Sequence, residues 1–344
     1  MSFLGERNAI ALGVSQHTVL YSGLLQPQSP PSLILDFAGT QTLDPRITFT
    51  RSTTATFIGS NGLIQTAAIN APRFDYNPTT LAPLGLLIEE QRVNLLLNSA
   101  TLTTQNVTVS AVAHTLSFYG TGTVTLSGVS TAGPLVGTGA YPNRVSLTFT
   151  PTAGTLTLTV SGSVVSAQLE AGAFATSYIP TVASQVTRTA DVAVMTGTNF
   201  SSWYNQAEST VYAEYSARNG GRAIMFDDGS TDNRFEIRFT SNTSQLNSWS
   251  GNVQQISSLF APTATGLPEG VILKSSAGLL LNNAATTANG ASPGTDTSCI
   301  MPLGLTRVFL GSFQGTATFL NGRISRITYY PRRLSNSELQ GVTL

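Results

Sequence analysis

The sequence is poor in charged side chains. Only 10% of its 344 residues are charged, against roughly 25% in an average soluble protein. The 17 basic and 17 acidic residues give a formal net charge of zero, and lysine occurs once. A nucleic-acid-binding protein needs clustered cations to neutralise phosphates, and no stretch of this chain supplies such a cluster. Nucleic acid is therefore excluded as an expected partner.

Cysteine and long hydrophobic runs are also scarce. The single Cys299 excludes an internal disulfide and a thiolate metal site. No run of 18 apolar residues occurs, so no transmembrane helix is predicted. Residues 1–22 carry Glu6 and Arg7 ahead of a broken apolar stretch, a pattern unlike that of a signal peptide. We expect a cytoplasmically made protein, or a part assembled inside a cell, that is not inserted into a membrane.

Motifs for catalysis are missing. The sequence has two histidines in different regions, no HExxH, no P-loop, and no Gly-x-Ser-x-Gly motif in a strand-to-helix context. The adjacent carboxylates Glu89 and Glu90 would point to opposite faces of a strand, so they cannot flank one glycosidic bond. One of them is expected to pair with Arg92 or Arg73 instead. The sequence therefore predicts no enzyme and no catalytic residues.

Alternation of apolar and polar residues dominates the chain. Residues 145–149, 155–160, 211–215 and 234–239 alternate in this way, which predicts strands with one buried and one solvated face. Threonine is abundant because a β-branched hydroxyl residue suits the solvated face. Closely spaced Gly, Asn and Asp clusters predict hairpins. Near the C-terminus, Ser335 and Glu338 have the spacing of a capping box, so one short helix is expected there.

Composition suggests three parts. Residues 1–32 end in the proline-rich stretch 26–31, which predicts an extended N-terminal arm. Residues 33–195 and 196–344 each contain a set of short strands, separated by a loop-like stretch near residue 195. The predicted fold is all-β, with two antiparallel β-sandwich domains in tandem behind the arm.

Several segments, in fixed order, resemble a block found in structural proteins of tailed bacteriophages. They are residues 43–51, 62–65, 72–76, 85–96, 167–172, 175–181 and 187–191. The block is similar to jelly rolls of the carbohydrate-binding-module type in head spike, head fibre and tail fibre proteins, and it covers residues 33–194. This resemblance implies a virion part, commonly a homotrimer, with affinity for glycans.

The C-terminal residues 321–339 resemble the last strand and terminal helical turn of concanavalin A-like (laminin G-like) lectin sandwiches. This resemblance implies such a sandwich for residues 196–344. Because one fold serves many functions, it constrains architecture more than activity.

Four aromatic residues near loop signals are candidate carbohydrate-binding residues: Trp203, Tyr204, Trp249 and Tyr119. Tryptophan and tyrosine offer sugars a large apolar face with a polar edge. The alternative is a structural role, because most tryptophan is largely buried. In that case Trp203 and Tyr204 would cover the domain junction and Trp249 would cap the second sandwich.

The densest acidic cluster consists of Asp227, Asp228 and Asp232. Together with Asn233 and backbone carbonyls, these carboxylates could supply the oxygens that calcium requires. The alternative is a simple hairpin with an Asp-Gly turn. Calcium is the one cofactor that the sequence suggests.

These observations predict a non-enzymatic bacteriophage virion structural protein, a capsid decoration, head fibre or tail fibre component. The arm would anchor it to other virion proteins, and the lectin-like domains would face host surface polysaccharide from the virion surface. A homotrimer is expected for a fibre. The alternatives are a tail-fibre polysaccharide depolymerase and a bacterial lectin; the lack of a signal peptide counts against the latter.

Overall fold

Antiparallel strands make up most of the structure, a computed structural model that describes residues 27–218, 220–240, 243–261 and 271–344. Strands account for 48% and helices for 5% of the residues, which confirms the predicted all-β class. In chain order the elements are β1 (Leu33–Asp36), α1 (Phe37–Thr40), β2 (Thr48–Thr50), β3 (Ala55–Ile58), β4 (Ile64–Ala67), β5 (Phe74–Tyr76), β6 (Pro83–Ile88), β7 (Arg92–Asn94), β8 (Gln105–Val109), β9 (His114–Tyr119), β10 (Thr123–Gly128), β11 (Leu135–Val136), β12 (Val145–Phe149), β13 (Gly154–Ser161), β14 (Val165–Ala171), β15 (Val186–Arg188), β16 (Val192–Thr196), α2 (Thr198–Ser201), β17 (Glu208–Ser216), β18 (Gly221–Asp227), β19 (Arg234–Thr240), β20 (Thr243–Ser250), β21 (Val253–Ala261), β22 (Leu273–Leu280), β23 (Asn283–Ala288), β24 (Gly294–Asp296), β25 (Arg307–Leu310), β26 (Gly322–Tyr330) and α3 (Asn336–Val342).

The larger of two sandwiches consists of an eight-stranded and a seven-stranded sheet. The first has the order β24-β23-β22-β17-β26-β6-β5, with β1 also paired to β26. The second has the order β2-β16-β25-β18-β19-β20-β21. Their facing sides bury one apolar core, in which Tyr215 and Ile327 of the first sheet join Phe226 and Phe235 of the second. This burial of apolar area is the main stabilising contribution.

The smaller sandwich packs the four-stranded sheet β11-β10-β13-β8 against the three-stranded sheet β12-β9-β14. Its core is separate and is built from alternate residues of each strand, such as Leu116 and Phe118 of β9 and Leu156 and Leu158 of β13. The intervening threonines of β13 lie on the other face, where Thr155 and Thr157 are not buried. The predicted alternation over residues 145–149 and 155–160 is therefore confirmed.

The strand pairing divides the chain differently from the predicted ranges 33–195 and 196–344. β16 crosses the predicted boundary and pairs with β2 on one side and β25 on the other. Both β1 and β6 pair with β26 near the C-terminus. The large sandwich thus combines strands from both predicted domains. The small sandwich is inserted between β7 and β15, which pair with each other. Alternation indicates which side chains face a core but not which distant strand is the partner.

Some polar residues of the large sandwich are buried although the sequence predicts a solvated face. Ser276 of β22 donates to the carbonyl of Leu339 at 3.0 Å, and Thr286 of β23 donates to the carbonyl of Ser276 at 2.9 Å. The helix α3 covers these strands, so both hydroxyls find backbone acceptors away from water. Glu236 of β19 is likewise fully buried. In β19 apolar and polar residues alternate as predicted, but the face that carries Glu236 is covered as well.

The two ends of the described chain lie against the large sandwich. Residues 1–26 of the predicted arm lie outside the described residues; at its end, Ser32 donates to the carbonyl of Trp203 at 2.8 Å. At the C-terminus, the Ser335 and Glu338 side chains each accept from the other's backbone N–H, so the predicted capping box is confirmed. No helix in the described ranges is long and apolar enough to cross a membrane.

Candidate functional site

The outer face of the seven-stranded sheet carries a group of charged and aromatic side chains. In β19, Arg234, Glu236 and Arg238 alternate with the core residues Phe235 and Ile237. The strand register places five further members directly opposite these three on the neighbouring strands: Asp227, Arg222, Asn247, Gln245 and Trp249. Arg307 of β25 lies opposite Asp227 and completes the set. We call this set the outer-face cluster. It brings four arginines together in a chain with few charges.

Two buried carboxylates hold two of these guanidinium groups. Asp227 forms an ion pair with Arg307, and Glu236 forms one with Arg222. Both carboxylates are fully buried, whereas a quarter of the Arg307 side chain is exposed. In each carboxylate one oxygen has no hydrogen-bond partner among the described residues. An acceptor without a partner is costly in a buried position, and such groups are common where a ligand completes the hydrogen bonds.

Trp249 lies at the accessible end of the cluster. Its ring is half-buried and lies under the guanidinium of Arg234, 3.5 Å from the ring centroid. The ring of Phe313, in the loop that precedes β26, lies close to two guanidinium groups. Its centroid is 5.8 Å from the guanidinium carbon of Arg234 and 4.5 Å from that of Arg222. The stacked cation fixes the plane of the indole. Of the two tryptophans, Trp249 is the more exposed.

The structure places the other two predicted aromatics of the large sandwich in its core. Trp203 is 4% exposed, and its indole N–H donates to the carbonyl of Asn199 at 2.8 Å. Tyr204 stacks on Phe200, with ring centroids 4.6 Å apart, and its hydroxyl is buried. Trp203 is therefore structural, although it lies in the core of the large sandwich and not at a domain junction, and Tyr204 packs half-buried against the same core.

The acidic cluster forms a hairpin turn between β18 and β19. Asp227 points to Arg307, and its carboxylate also accepts from the backbone N–H of Gly229 at 2.8 Å. Burial opposes ionisation of Asp228, but hydrogen bonds from Ser230 and Asn233 lower its pKa. The three carboxylates do not converge. Nowhere in the described part of the chain do three or more His, Cys, Asp or Glu residues group to hold a metal ion.

A cavity of about 290 Å³ lies at the junction of the two sandwiches. The small sandwich contributes Tyr119, Tyr141 and Arg144, and the large sandwich contributes Arg218 and Arg323 among others. We call it the junction cavity. Tyr119, the fourth predicted sugar-binding residue, is 7% exposed, and its ring packs 5.3 Å from that of Tyr141. Tyr119 and Trp249 thus lie in different places, and the structure does not bring the four predicted aromatics into one site.

Beneath the junction cavity, three arginines and two acids form a buried ion network. Arg73 donates to Glu89 at 2.8 Å and also to Asp191. Arg188 donates to Glu89 at 2.7 Å, and Arg51 donates to Asp191 at 3.0 Å. The predicted pairing of Glu89 with Arg73 is confirmed; Glu90 pairs with Arg92 at 2.5 Å. These residues all belong to the segments that resemble phage proteins, so those segments are brought together by ionic contacts.

Sequence reasoning missed the role of Arg144, Arg218 and Arg323 in the junction cavity and that of Arg222 and Arg307 in the outer-face cluster. The only signal was the use of arginine in place of lysine, with 16 arginines to one lysine. Arginine suits planar contacts with carboxylates, carbonyls and aromatic rings. Arg222, Arg307 and Arg323 pair with carboxylates, Arg144 lies over the ring of Tyr119, and Arg218 donates to the carbonyl of Ala175. Isolated arginines spread over the sequence gave no indication of which ones meet.

No protein-family model matches the sequence, and no curated protein matches it. Among solved structures, the carbohydrate-binding module (CBM40) of the Ruminococcus gnavus IT-sialidase, bound to α2,6-sialyllactose, is 21% identical with a TM-score of 0.37. The likeness covers 42% of this chain and 88% of that one.

Two sialidase structures give similar sequence identities and TM-scores. The leech intramolecular trans-sialidase is 20% identical, with a TM-score of 0.35, over 40% of this chain and 23% of the enzyme. The NanB sialidase of Streptococcus pneumoniae is 16% identical, with a TM-score of 0.37, over 44% of this chain and 26% of the enzyme. Likenesses this weak assign neither a ligand nor an activity to this chain.

Proposed function

We propose that the protein is a non-enzymatic component of a bacteriophage particle that binds glycans on the host surface through the outer-face cluster. The observation that carries the proposal is the stack of Arg234 on Trp249, beside polar atoms without partners. A fixed aromatic ring with adjacent guanidinium donors supplies both the stacking surface and the hydrogen bonds that a sugar ring requires.

The geometry of the carboxylates favours binding over hydrolysis. A glycosidase needs one carboxyl group that donates a proton and a second that attacks or activates water, both in contact with the substrate. Asp227 and Glu236 are fully buried and each is held by an arginine. Near the junction cavity, burial opposes ionisation of Glu89, but Arg188, Arg73 and Ser177 keep its pKa well below its usual range. Glu89 is therefore a poor proton donor.

The glycan proposal is tested on an immobilised panel of bacterial capsular polysaccharides and lipopolysaccharides. Any glycan that the wild type retains is then titrated with the Trp249→Ala and Arg234→Met variants. We expect each variant to lose roughly tenfold in affinity, equal to about 1.4 kcal/mol. Gln255→Ala, at a half-buried position of the neighbouring strand β21, is the matched control and should bind like the wild type. A panel without binding, or equal binding by all variants, would contradict the proposal.

The place in the particle is proposed from the resemblance to phage head and tail fibre proteins, with the arm of residues 1–32 as the anchor. Antibody labelling of intact particles, followed by electron microscopy, should place the protein on the outside of the virion. Deletion of residues 1–26 should abolish incorporation into particles while leaving the β-sheet circular dichroism of the purified protein unchanged. Incorporation of the truncated protein at the wild-type level would refute the anchoring role.

Two further measurements test the proposed homotrimer and the alternative of a polysaccharide depolymerase. Light scattering of the purified protein should give three times the chain mass of 36.1 kDa if the fibre arrangement holds. Incubation with a bound polysaccharide should release no new reducing ends. Release of reducing ends that requires Glu236 would favour the depolymerase instead.

A further inference from the structure

The junction cavity is lined by residues of both sandwiches and shares no residue with the outer-face cluster. Its volume of about 290 Å³ is at the lower end of ligand sites, which span roughly 300–1,000 Å³. This size suits one sugar ring better than a longer segment of chain. Its wall combines apolar residues such as Ile64 and Leu84 with charged ones, namely three arginines and the carboxylates Asp75 and Glu89.

One wall of the cavity carries Arg144, directly before β12. Its guanidinium donates to the carbonyl of Thr176 at 2.6 Å and to the hydroxyl of Ser117 at 2.8 Å. Both partners are neutral, and no carboxylate among the described residues forms an ion pair with Arg144. Its Nε atom is buried without a hydrogen-bond partner in the same part of the chain. Arg144 is thus held in place by neutral acceptors. Its charge has no ion-pair partner among the described residues, and its Nε–H has no acceptor there.

The opposite wall adds two more guanidinium groups. Arg323 of β26 pairs with Asp75 at 2.5 Å. Arg218, after β17, donates to the carbonyl of Ala175 at 2.5 Å. Burial, together with the nearby charges of Arg323 and Arg144, lowers the pKa of Arg218 to about 10. Burial is the largest cause of this lowered pKa; Arg323 and Arg144 add to it, and the carboxylate of Glu89 opposes it. An anion placed beside the arginines would lessen the repulsion between them.

Tyrosines form a further part of the wall. The rings of Tyr119 and Tyr141 pack at 5.3 Å with an interplanar angle of 53°, and the guanidinium of Arg144 lies 6.0 Å from the Tyr119 centroid. The Tyr141 hydroxyl donates to the carbonyl of Gly62, which ties the small sandwich to the β3–β4 hairpin. The cavity therefore pairs an aromatic surface with a cationic one.

We propose that the junction cavity is a second binding site, one that takes a single acidic sugar residue whose carboxylate is held by Arg144. The choice of a sugar rests on the glycan-binding function proposed above; the choice of an acidic one rests on the guanidinium groups. A carboxylate accepts two parallel hydrogen bonds from a guanidinium, and the remaining ring would lie against the tyrosine wall. A neutral sugar would leave the positive charge of Arg144 without compensation.

The test uses D-glucuronate and D-galacturonate, with D-glucose and D-galactose as comparison ligands and sulfate as a competitor of the uronates, in saturation-transfer NMR of the full-length protein. We expect the uronates to bind at least tenfold more tightly than the neutral sugars. Arg144→Met should reduce uronate binding at least tenfold. Because this change also removes two structural hydrogen bonds, Ile64→Trp provides an independent variant that fills the cavity and leaves the arginines intact; it should abolish binding as well.

Trp249→Ala is the matched control, because it disables the outer-face cluster and should leave uronate binding unchanged. Equal binding of neutral and acidic sugars, or uronate binding that survives both Arg144→Met and Ile64→Trp, would overturn the proposal. Sulfate binding as tight as that of the uronates would also overturn it, since the cavity would then recognise charge alone. The proposed function is contradicted by a different result, namely equal affinity of the wild type and Trp249→Ala for the polysaccharides of the panel.

Discussion

The guanidinium of Arg73 lies 2.8 Å from a carboxylate oxygen of Glu89, and both side chains are buried where the two sandwiches meet. The same oxygen of Glu89 accepts from Arg188 at 2.7 Å, and the Ser177 hydroxyl donates to it at 2.6 Å. One carboxylate thus gathers residues from three parts of the chain. It neutralises cations that burial would otherwise leave uncompensated.

Replacing this carboxylate should therefore be costly. Glu89→Gln keeps the shape but leaves Arg73 and Arg188 short of a negative charge, and we expect a loss of about 3–5 kcal/mol in the free energy of unfolding. Urea unfolding measures it. The matched control is Asp44→Asn, which breaks the partly exposed pair with Arg46 at 2.7 Å and should cost no more than about 1 kcal/mol. Equal losses in the two variants would contradict a special role for the network.

Acid should weaken the attachment of the C-terminal helix. Burial opposes ionisation of Glu338, but hydrogen bonds from Arg332, Ser335 and Gln28 lower its pKa from 4.5 to about 2. A carboxyl with a lowered pKa stabilises the folded state fully above its unfolded pKa, and the effect disappears as the pH falls through the folded pKa. We expect stability to fall between pH 4.5 and about 2. In Glu338→Gln, unfolding measured over the same range should show a shallower pH dependence than in the wild type.

The two tryptophans should respond differently to truncation. Trp203→Ala removes a core ring and should cost about 3–5 kcal/mol of unfolding free energy. Trp249→Ala removes a half-buried ring and its contact with Arg234, and should cost about 1 kcal/mol. Denaturant unfolding of both variants provides the comparison. A large loss in Trp249→Ala would mean that the residue is structural and would remove the ring that the glycan proposal needs.

Gly85 is required by a close approach between strands. It lies in β6 at a φ of +104°, and a Cβ atom there would meet the carbonyl oxygen of Ile324 in β26. Gly304 also has a positive φ, +69°, but has nothing within 4 Å of the Cβ position. Both alanine variants should pay about 1–2 kcal/mol for the backbone conformation. Gly85→Ala should cost a further 1–3 kcal/mol or so, because it crowds a packed interface; equal melting temperatures would refute the clash.

The Asp227 hairpin should not depend on calcium for its stability. Asp227→Asn weakens the ion pair with Arg307 and should lower the melting temperature by the same amount in EDTA and in calcium chloride. The wild type should melt at the same temperature in both. A rise in the wild-type melting temperature with calcium that is lost in Asp228→Asn would instead establish a calcium site in this turn, because a ligand of the folded state stabilises it.

The sequence by itself determined the all-β fold class, the positions of many strands and the capped helix near the C-terminus. Strict alternation in residues 155–160 and 234–239 identified β13 and β19, because a side-chain period of two is a local property of a strand. The capping box of Ser335 and Glu338 was equally local, since both residues lie within one helical turn. The sequence also predicted that Glu89 or Glu90 pairs with Arg73 or Arg92, because neighbours on a strand point to opposite faces and cannot flank one substrate; the structure has both Glu89–Arg73 and Glu90–Arg92.

Tertiary structure alone decided the partition of the chain and the position of the two candidate sites. β1 and β26 pair although nearly the whole chain separates them, and nothing in the local pattern of either strand specifies that partner. The same holds for Arg144 and Arg218, which meet only because the small sandwich is inserted against the large one. Tertiary packing also explains why Trp203 is buried and Trp249 is only half-buried. A serine precedes each tryptophan, and only the packing of distant strands covers Trp203.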